Sequence, residues 1–284
     1  MTVANHAYSE VVQTARAYYN SDDAEAFYAK VWGGDNINIG LYEKEEDTVA
    51  SASHRAVTRL AEHLEPLDES DRVLDLGSGY GGTARHLARH YGCRVTGINL
   101  SEVENVRARR LNAEEGLQNQ VEIVDGSFES VQAPDHSFDA VCSQDAILHS
   151  GERARVVAEA TRVLKPGGVF AFSDIMQSDT CPDGVLQPIL ERINLSSLGS
   201  PASYRQAAQT SNLVEESFQE LTPHMTTHYA RVLHETESRE DELQGQISSG
   251  YLQRMKAGLA RWVDGGRKGY LVWGLFAFRK PADE

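Results

Sequence analysis

Residues 73–82, VLDLGSGYGG, join a short apolar segment to a cluster of four glycines. The apolar segment predicts a buried strand, and the glycines predict a tight turn where a ligand approaches the backbone. Two nucleotide-binding patterns fit this turn. Gly77, Gly79 and Gly82 match G-x-G-x-x-G, the dinucleotide fingerprint, whereas Asp75, Gly77, Gly79 and Gly81 match a second loop in which an acidic residue precedes the glycines. The stretch alone fits both patterns.

Short apolar segments alternate with helical segments on the C-terminal side of this loop. The predicted strands are 72–76, 93–100, 121–124, 138–143, 169–174, 213–221 and one within 268–280, and the helices among the first five are 82–92, 101–116 and 152–164. Ser101 is the expected N-cap of the second of these helices, with Glu104 at the capping-box position. Strands that are apolar throughout have both faces covered. The pattern therefore predicts an α/β, Rossmann-like fold with a seven-stranded, mostly parallel sheet and helices on both faces.

The flanking segments read as helical and complete a single predicted domain. Residues 8–32, with Ser21 or Asp22 as an internal N-cap, residues 47–64 and a long charged segment at 226–262 all carry helical patterns. We divide the chain into an N-terminal helical lid (1–66), a cofactor-binding core (67–174), a substrate-side helical insertion (175–212) and C-terminal strands with a long helix (213–284).

Composition restricts the class of protein. The 284 residues carry a net charge of −15, and so acidic a chain repels nucleic acid and anionic membranes. The excess of acid fits either ordinary solubility or adaptation to a salty cytoplasm. Cys93, Cys142 and Cys181 form no C-x-x-C pair, which favours reduced thiols in a cytoplasmic protein. We expect no signal peptide, membrane span or metal site.

Ligands of open α/β sheets bind beyond the carboxyl ends of the strands. The residues at the predicted strand ends can therefore discriminate between a dinucleotide such as NAD and S-adenosylmethionine, the ligand of the second loop pattern. A dehydrogenase places an acidic residue after the second strand for the ribose, and Asn99 is not acidic. Asp125 can accept a hydrogen bond from the amine of adenine. Asp75 suits a ligand with an ammonium group, which S-adenosylmethionine carries and NAD lacks. The strand ends thus favour S-adenosylmethionine.

Four motifs carry a family resemblance. VLDLGSGYGG, GINLS, VDGSF and LKPGG have the order and spacing of class I S-adenosylmethionine-dependent methyltransferases. Outside this core, YYNSDDAEAFYAKVWGGDNINIGLY, CSQDAILHS and LQPILERINLSSLGSPASYRQ resemble the sarcosine/dimethylglycine N-methyltransferases of glycine betaine synthesis. The resemblance covers nearly the whole chain. It implies S-adenosylmethionine as methyl donor, S-adenosylhomocysteine as product, and methylation of sarcosine and dimethylglycine in a halophilic or halotolerant host.

The resemblance also implies cofactor-binding residues. They would hold the methionine end and its ammonium group, the ribose hydroxyls and the adenine, and three N-terminal aromatic residues would close over the cofactor as a lid or belong to the core. The residues for the methionine end and ribose are Asp75, Gly77, Gly79, Asn99 and Gln144, those around adenine are Leu100, Asp125, Gly126, Ser127 and Phe128, and the aromatic residues are Tyr19, Tyr28 and Trp32.

Candidates for catalysis and acceptor binding lie after the fourth and fifth strands. His149 and Asp174 are the expected bases, although each also fits a structural role. Glycine-methylating relatives have an arginine just after strand five, where this chain has Ile175, Met176 and Gln177, so the resemblance implies an amine that already carries methyl groups. The candidates to bind the acceptor are Met176, Gln177, Arg192, Asn194, Tyr204 and Arg205.

Two other functions stay open from the sequence. The first is a class I methyltransferase that acts on another small molecule, such as phosphoethanolamine, a tocopherol-like ring or a sugar. The second is a cofactor-binding module without catalysis. The expected partner is a small-molecule amino acid, and the expected assembly is a monomer or a small homo-oligomer.

Overall fold

A seven-stranded sheet forms the centre of the computed structural model, which describes residues 10–32, 35–191 and 195–282. The strands are β1 (Arg72–Leu76), β2 (Arg94–Asn99), β3 (Val121–Asp125), β4 (Phe138–Gln144), β5 (Leu164–Gln177), β6 (Val214–Glu220) and β7 (Leu271–Arg279). Their order across the sheet is β3-β2-β1-β4-β5-β7-β6. Strand β7 runs antiparallel to β5 and β6, and the other pairs are parallel. The predicted mostly parallel sheet is confirmed.

Helices cover both faces of this sheet. They are α1 (Glu10–Tyr19), α2 (Asp22–Phe27), α3 (Val49–Glu62), α4 (Gly82–Tyr91), α5 (Glu102–Glu114), α6 (Arg153–Val163), α7 (Gln187–Leu190), α8 (Pro201–Thr210), α9 (Thr222–Ser238), α10 (Glu240–Leu243) and α11 (Ser249–Arg267). Val73 belongs to the apolar cluster formed with α3, α4, α9 and α11, whereas its neighbour Leu74 belongs to the cluster formed with α6 and α8. Adjacent strand residues thus face opposite layers.

The N-terminal helices dock on α5. The Arg16 guanidinium donates from Nε to Glu102 Oε2 at 3.0 Å, and Asn20 Nδ2 donates to the same oxygen at 2.9 Å. Ser21 is the N-cap of α2, as predicted, because its hydroxyl accepts from the backbone N–H of Ala24. A π-helical turn (Tyr28–Trp32) follows α2. These contacts hold the N-terminal helices beside the carboxyl end of β2.

Two predicted elements differ from the structure. The continuous helix at 226–262 is wrong, because α9, α10 and α11 replace it and Ser248 starts α11 by accepting from the backbone N–H of Tyr251. Strand β5 begins at Leu164 rather than at residue 169, because Leu164 already pairs with Phe138 of β4. The LKPGG segment therefore belongs to the strand, and Gly167 supplies a positive φ of 80° within it.

Candidate active site

A crevice lies where the carboxyl ends of β1, β2 and β4 meet. Strand β1 lies between the other two, so the chain winds away from it in both directions, and ligands bind at such a point in α/β sheets. The cavity there, termed the glycine-loop cavity, is lined by Tyr19, Ile37, Gly77, Gly79, Asn99, Leu100, Ser101, Glu104, Phe128, Gln144, Asp145, Ala146 and His149. The structure thus brings together predicted residues from three strand ends and from α1.

The glycine loop has no room for side chains on the cavity side. Gly77 has a φ of 77° and Gly79 has a φ of 51°. A Cβ on Gly77 would lie 2.4 Å from the Cβ of Ala146, and a Cβ on Gly79 would lie 3.1 Å from Cδ1 of Ile37. Both the backbone conformation and these contacts therefore require glycine.

Asp75 is a buried carboxylate with one oxygen free. It lines an extension of the cavity together with Ser78, Thr83 and Gln144. Burial raises the pKa of Asp75 to about 7, against the opposing effect of a hydrogen bond with Cys142. Oδ2 of Asp75 has no hydrogen-bond partner among the described residues. A buried acceptor in this state loses its hydration without compensation, so the site fits a ligand that brings a cationic amine.

Glu104 is a cavity residue that the sequence did not single out for binding. Ser101 caps α5 as predicted, because its hydroxyl accepts from the backbone N–H of Glu104. The Glu104 carboxylate does not complete a capping box; it accepts from Asn99 Nδ2 at 2.9 Å. Burial raises the pKa of Glu104 to about 7. Asn99 and Glu104 together present an amide and a carboxyl group to the cavity, a pair suited to sugar hydroxyls.

The end of β3 contributes less to the cavity than predicted. Phe128 lines it, but Asp125, Gly126 and Ser127 are not among its lining residues. The Asp125 carboxylate accepts from Arg109 Nη2 at 2.6 Å and from Asn105 Nδ2 at 2.7 Å. The Asp125 carboxylate is therefore hydrogen-bonded to side chains of α5 in this structure.

Asp145 lies between two cavities and was not among the predicted site residues. Its backbone is left-handed, with a φ of 52°, a conformation that costs free energy outside glycine and recurs at functional sites. Its carboxylate accepts from the backbone N–H of Ile39 at 2.8 Å, from Ser173 Oγ at 2.9 Å and from Trp273 Nε1 at 2.7 Å. Burial raises the pKa of Asp145, while these three donors oppose the rise.

The second cavity is rich in aromatic side chains and adjoins the first. We term it the aromatic cavity; its lining residues are Tyr18, Tyr19, Tyr28, Trp32, Ile37, Ile39, Asp145, Leu148, His149, Ile175, Tyr229, Met255, Leu259 and Trp262. The predicted residues Tyr28 and Trp32 lie here, and Tyr19 lines both cavities. The Tyr18 and Tyr28 hydroxyls are 3.3 Å apart. Aromatic faces attract cations, so this cavity suits a methylated ammonium group.

His149 also lines both cavities. It ends a 3-10 turn (Ile147–His149) after β4, and its Nε2 lies 2.9 Å from the Tyr19 hydroxyl. Burial lowers the pKa of His149 to about 4, and the nearby Arg153 guanidinium lowers it further. The imidazole is therefore neutral at physiological pH and can accept a hydrogen bond.

The candidate base and acceptor-binding residues at the end of β5 lie on opposite faces of the sheet. Ile175 lines the aromatic cavity, whereas Asp174, Met176, Gln177 and Tyr204 do not. The Asp174 carboxylate accepts from the backbone N–H of Leu148 at 3.1 Å and from the Tyr204 hydroxyl at 2.5 Å.

The other acceptor candidates fall in or near the helical insertion. Arg205 forms an ion pair with Glu215, with 2.8 Å between Nε and Oε2. Arg192 and Asn194 lie outside the described residues.

The described residues contain no candidate metal site, because no group of three or more His, Cys, Asp and Glu side chains among them could bind a metal ion. None of the helices described there is both long and apolar enough to span a bilayer.

Comparisons with known proteins agree with this geometry. A family model described as a methyltransferase domain matches residues 74–172. The chain is 51% identical over 271 residues to a sarcosine/dimethylglycine N-methyltransferase of Halorhodospira halochloris, covering 95% of this chain and 97% of that protein. It is 50% identical over 267 residues to a dimethylglycine N-methyltransferase of Parasynechococcus marenigrum, covering 94% and 95% of the two chains. A crystal structure assigned as a sarcosine dimethylglycine methyltransferase of Galdieria sulphuraria matches with a TM-score of 0.88 and 38% identity, over 94% of this chain and 100% of that one.

Proposed function

The chain belongs to the sarcosine/dimethylglycine N-methyltransferase family, and we propose that it methylates the amines of sarcosine and dimethylglycine to give dimethylglycine and glycine betaine. The protein is a methyltransferase, and its methyl donor is S-adenosylmethionine. The observation that carries the choice of acceptor is the aromatic cavity, which opens beside the glycine-loop cavity and shares Asp145 and His149 with it.

The glycine-loop cavity is the proposed donor site. The free oxygen of Asp75 would accept from the ammonium group of the methionine end, and Gln144 lies at the same end. Asn99 and Glu104 would hold the ribose hydroxyls, with Leu100 and Phe128 against the adenine. When bound, S-adenosylmethionine supplies an electrophilic methyl group on sulfur. The protein itself supplies alignment and electrostatics.

The aromatic cavity is the proposed acceptor site. The Tyr18 and Tyr28 hydroxyls can donate to the acceptor carboxylate, because burial and the neighbouring tyrosines raise the pKa of Tyr28 and keep it protonated. The methyl groups of the amine would contact aromatic rings and Ile175. Asp145 would attract the ammonium form of the amine to the junction of the two cavities.

The Tyr19–His149 pair is the proposed route for the proton. An alkyl ammonium has a pKa of roughly 10, so the amine must lose a proton before its lone pair can attack. His149 lines both cavities, and because its pKa is lowered to about 4 it would pass the proton of the amine on toward solvent rather than retain it. The Tyr19 hydroxyl fixes the imidazole in place, and general bases need this kind of alignment.

Asp174, predicted as a second base, fits a positioning role instead. Its carboxylate lies on the face of β5 that carries Tyr204, and it anchors the backbone of Leu148, the residue before His149. We therefore assign Asp174 and Tyr204 to holding the 3-10 turn that presents His149 to the cavities.

The proposed setting is osmolyte synthesis in a cytoplasm. The net charge of −15 suits a protein that must stay soluble at high salt, because dense surface charge opposes association. A single methyltransferase domain with the four-part division given above, acting as a monomer or small homo-oligomer, is part of this proposal.

An endpoint assay with the purified protein tests the function. S-adenosylmethionine would be combined separately with glycine, sarcosine, dimethylglycine and buffer, at low and high salt, and the products would be identified by mass. We expect methyl transfer to sarcosine and dimethylglycine but not to glycine. Donor binding without transfer to any of the three would refute the acceptor assignment while leaving the donor site intact.

A further inference from the structure

A groove of about 660 Å³ lies outside the aromatic cavity, between the N-terminal helices, α7 and α11. Tyr18 and Met255 line both the groove and the cavity, so they form part of the wall between the two. The Tyr18 hydroxyl lies 3.7 Å from Met255 Sδ and 3.2 Å from the Tyr251 hydroxyl. The contact between Tyr18 and Met255 thus lies between this outer groove and the proposed acceptor site.

The outer groove carries charges of both signs. Arg254 and Arg261 line it from exposed positions about two helical turns apart on α11. Asp23 of α2 and Glu191 at the end of α7 also line it. Hydrogen bonds from Ser248 lower the pKa of Asp23, so this carboxylate is ionised at physiological pH. The aromatic cavity, by contrast, has no lysine or arginine among its described lining residues.

We propose that the outer groove is the route by which a zwitterionic amino acid reaches the aromatic cavity, with Arg254 and Arg261 attracting its carboxylate. The inference rests on the proposed function, because the amino acid that would travel along the groove is the methyl acceptor of that function. A zwitterion matches a groove with charges of both signs, because its carboxylate can approach the arginines while its ammonium group approaches the acidic residues. Passage requires the Tyr18–Met255 contact to open.

Blocking the groove tests the route. Ala257 is exposed on α11 and lines the groove, whereas Ala260 is exposed on the same helix and does not. We expect Ala257→Trp to lower kcat/KM for dimethylglycine by about tenfold or more by closing a solvent path to the site. S-adenosylmethionine binding, measured by calorimetry, should be unchanged, because Ala257 does not line the glycine-loop cavity. Ala260→Trp should match the unaltered protein in both measurements.

A second pair of variants tests the charges. Arg254→Gln should raise KM for dimethylglycine by roughly threefold to tenfold at low salt with little change in kcat, and the difference should shrink at high salt as the charge is screened. Arg267→Gln, on the same helix but outside the groove, is the matched control.

The outcomes separate the two proposals. If the unaltered protein methylates neither sarcosine nor dimethylglycine, the proposed function falls and the inference falls with it. If it methylates both, and Ala257→Trp has the same kcat/KM as Ala260→Trp, the inference alone is overturned. A selective loss in Ala257→Trp together with a salt-dependent KM in Arg254→Gln supports it.

Discussion

The hydroxyl of Tyr19 lies 2.9 Å from Nε2 of His149, which joins the N-terminal helices to the turn after β4. The two rings meet edge to face, with centroids 5.4 Å apart. Both residues line the glycine-loop cavity and the aromatic cavity. The contact therefore spans both proposed ligand sites, and we expect closure of the N-terminal helices and proton transfer to depend on this one pair.

Removing the Tyr19 hydroxyl should slow methyl transfer. We expect Tyr19→Phe to lower kcat for dimethylglycine by about 10- to 100-fold, because the imidazole loses the partner that aligns it for proton acceptance. Steady-state kinetics would measure this, with the donor Kd from calorimetry as a second readout. Tyr91→Phe removes a hydroxyl that donates to Glu65, neither residue lining either cavity, and should leave kcat unchanged. An unchanged kcat in Tyr19→Phe would remove the pair from the mechanism.

Asp75 should contribute to donor binding through the amino-acid end of the donor. We expect Asp75→Asn to raise the Kd of S-adenosylmethionine about tenfold or more, because a hydrogen bond between charged groups contributes about 1.5–3 kcal/mol. The matched ligand is 5′-methylthioadenosine, which keeps the nucleoside and lacks the amino acid. Its Kd should be the same for both proteins. A parallel loss for both ligands would mean that the substitution disturbs the glycine loop rather than one contact.

Several residues of the glycine-loop cavity could be predicted from the sequence to lie together because they stand at the ends of parallel strands. Strand ends meet at one edge of a sheet, so the positions of Gly77, Asn99 and Gln144 along the chain were sufficient to bring them together. Ile37 could not be found in this way, since it belongs to a segment that folds over the glycine loop through tertiary contacts. Asp145 adjoins Gln144 at a strand end, and that position was the signal that could have identified it.

The alternation of side chains along β5 explains why Ile175, and not the predicted Met176, lines the aromatic cavity. Successive residues of a strand face opposite sides, so Asp174 and Met176 share one face of β5 and Ile175 takes the other. Which face carries the acceptor depends on how the helices pack, and the continuous apolar sequence of a strand buried on both sides does not reveal it.

The buried carboxyl group of Asp174 should make the free energy of unfolding depend on pH. Burial raises the pKa of Asp174 to about 7, and the nearby Asp145 adds to the rise, while Tyr204, Arg153 and Leu148 oppose it. An unfolded aspartate has a pKa of about 3.9. Between these values the folded protein holds a proton that the unfolded chain has lost, so this group makes the free energy of unfolding fall as the pH rises, by up to about 1.4 kcal/mol per pH unit.

Asp174→Asn removes that titration and keeps an oxygen for the Leu148 N–H. We therefore expect the free energy of unfolding of Asp174→Asn, minus that of the unaltered protein, to increase from about pH 4.5 to about pH 7, the window set by the two pKa values. Urea denaturation at several pH values would measure the difference, and all other titrating groups are common to both proteins. Asp183→Asn, at an exposed position, should show no such trend. A difference that does not vary with pH would contradict the protonated state of Asp174.

Ile175 should control the choice of acceptor. It lines the aromatic cavity, whereas Met176, the residue suggested by the sequence, is fully buried in the cluster on the opposite face. An arginine at position 176 would bury an unpaired charge and destabilise the fold, so it could not report on specificity. Ile175→Phe instead narrows the cavity beside the methyl groups of the amine. Dimethylglycine carries one more methyl group than sarcosine, and one such group changes discrimination by about 10-fold or more in a fitted pocket.

We therefore expect Ile175→Phe to lower kcat/KM for dimethylglycine about tenfold more than for sarcosine. Initial rates measured with each acceptor separately, with products identified by mass, give this ratio without interference, because the product formed from sarcosine is itself the second acceptor. Met176→Leu conserves volume in the opposite cluster and should leave the ratio unchanged. If Met176→Leu shifts the ratio and Ile175→Phe does not, the acceptor lies on the α8 side of the sheet rather than in the aromatic cavity.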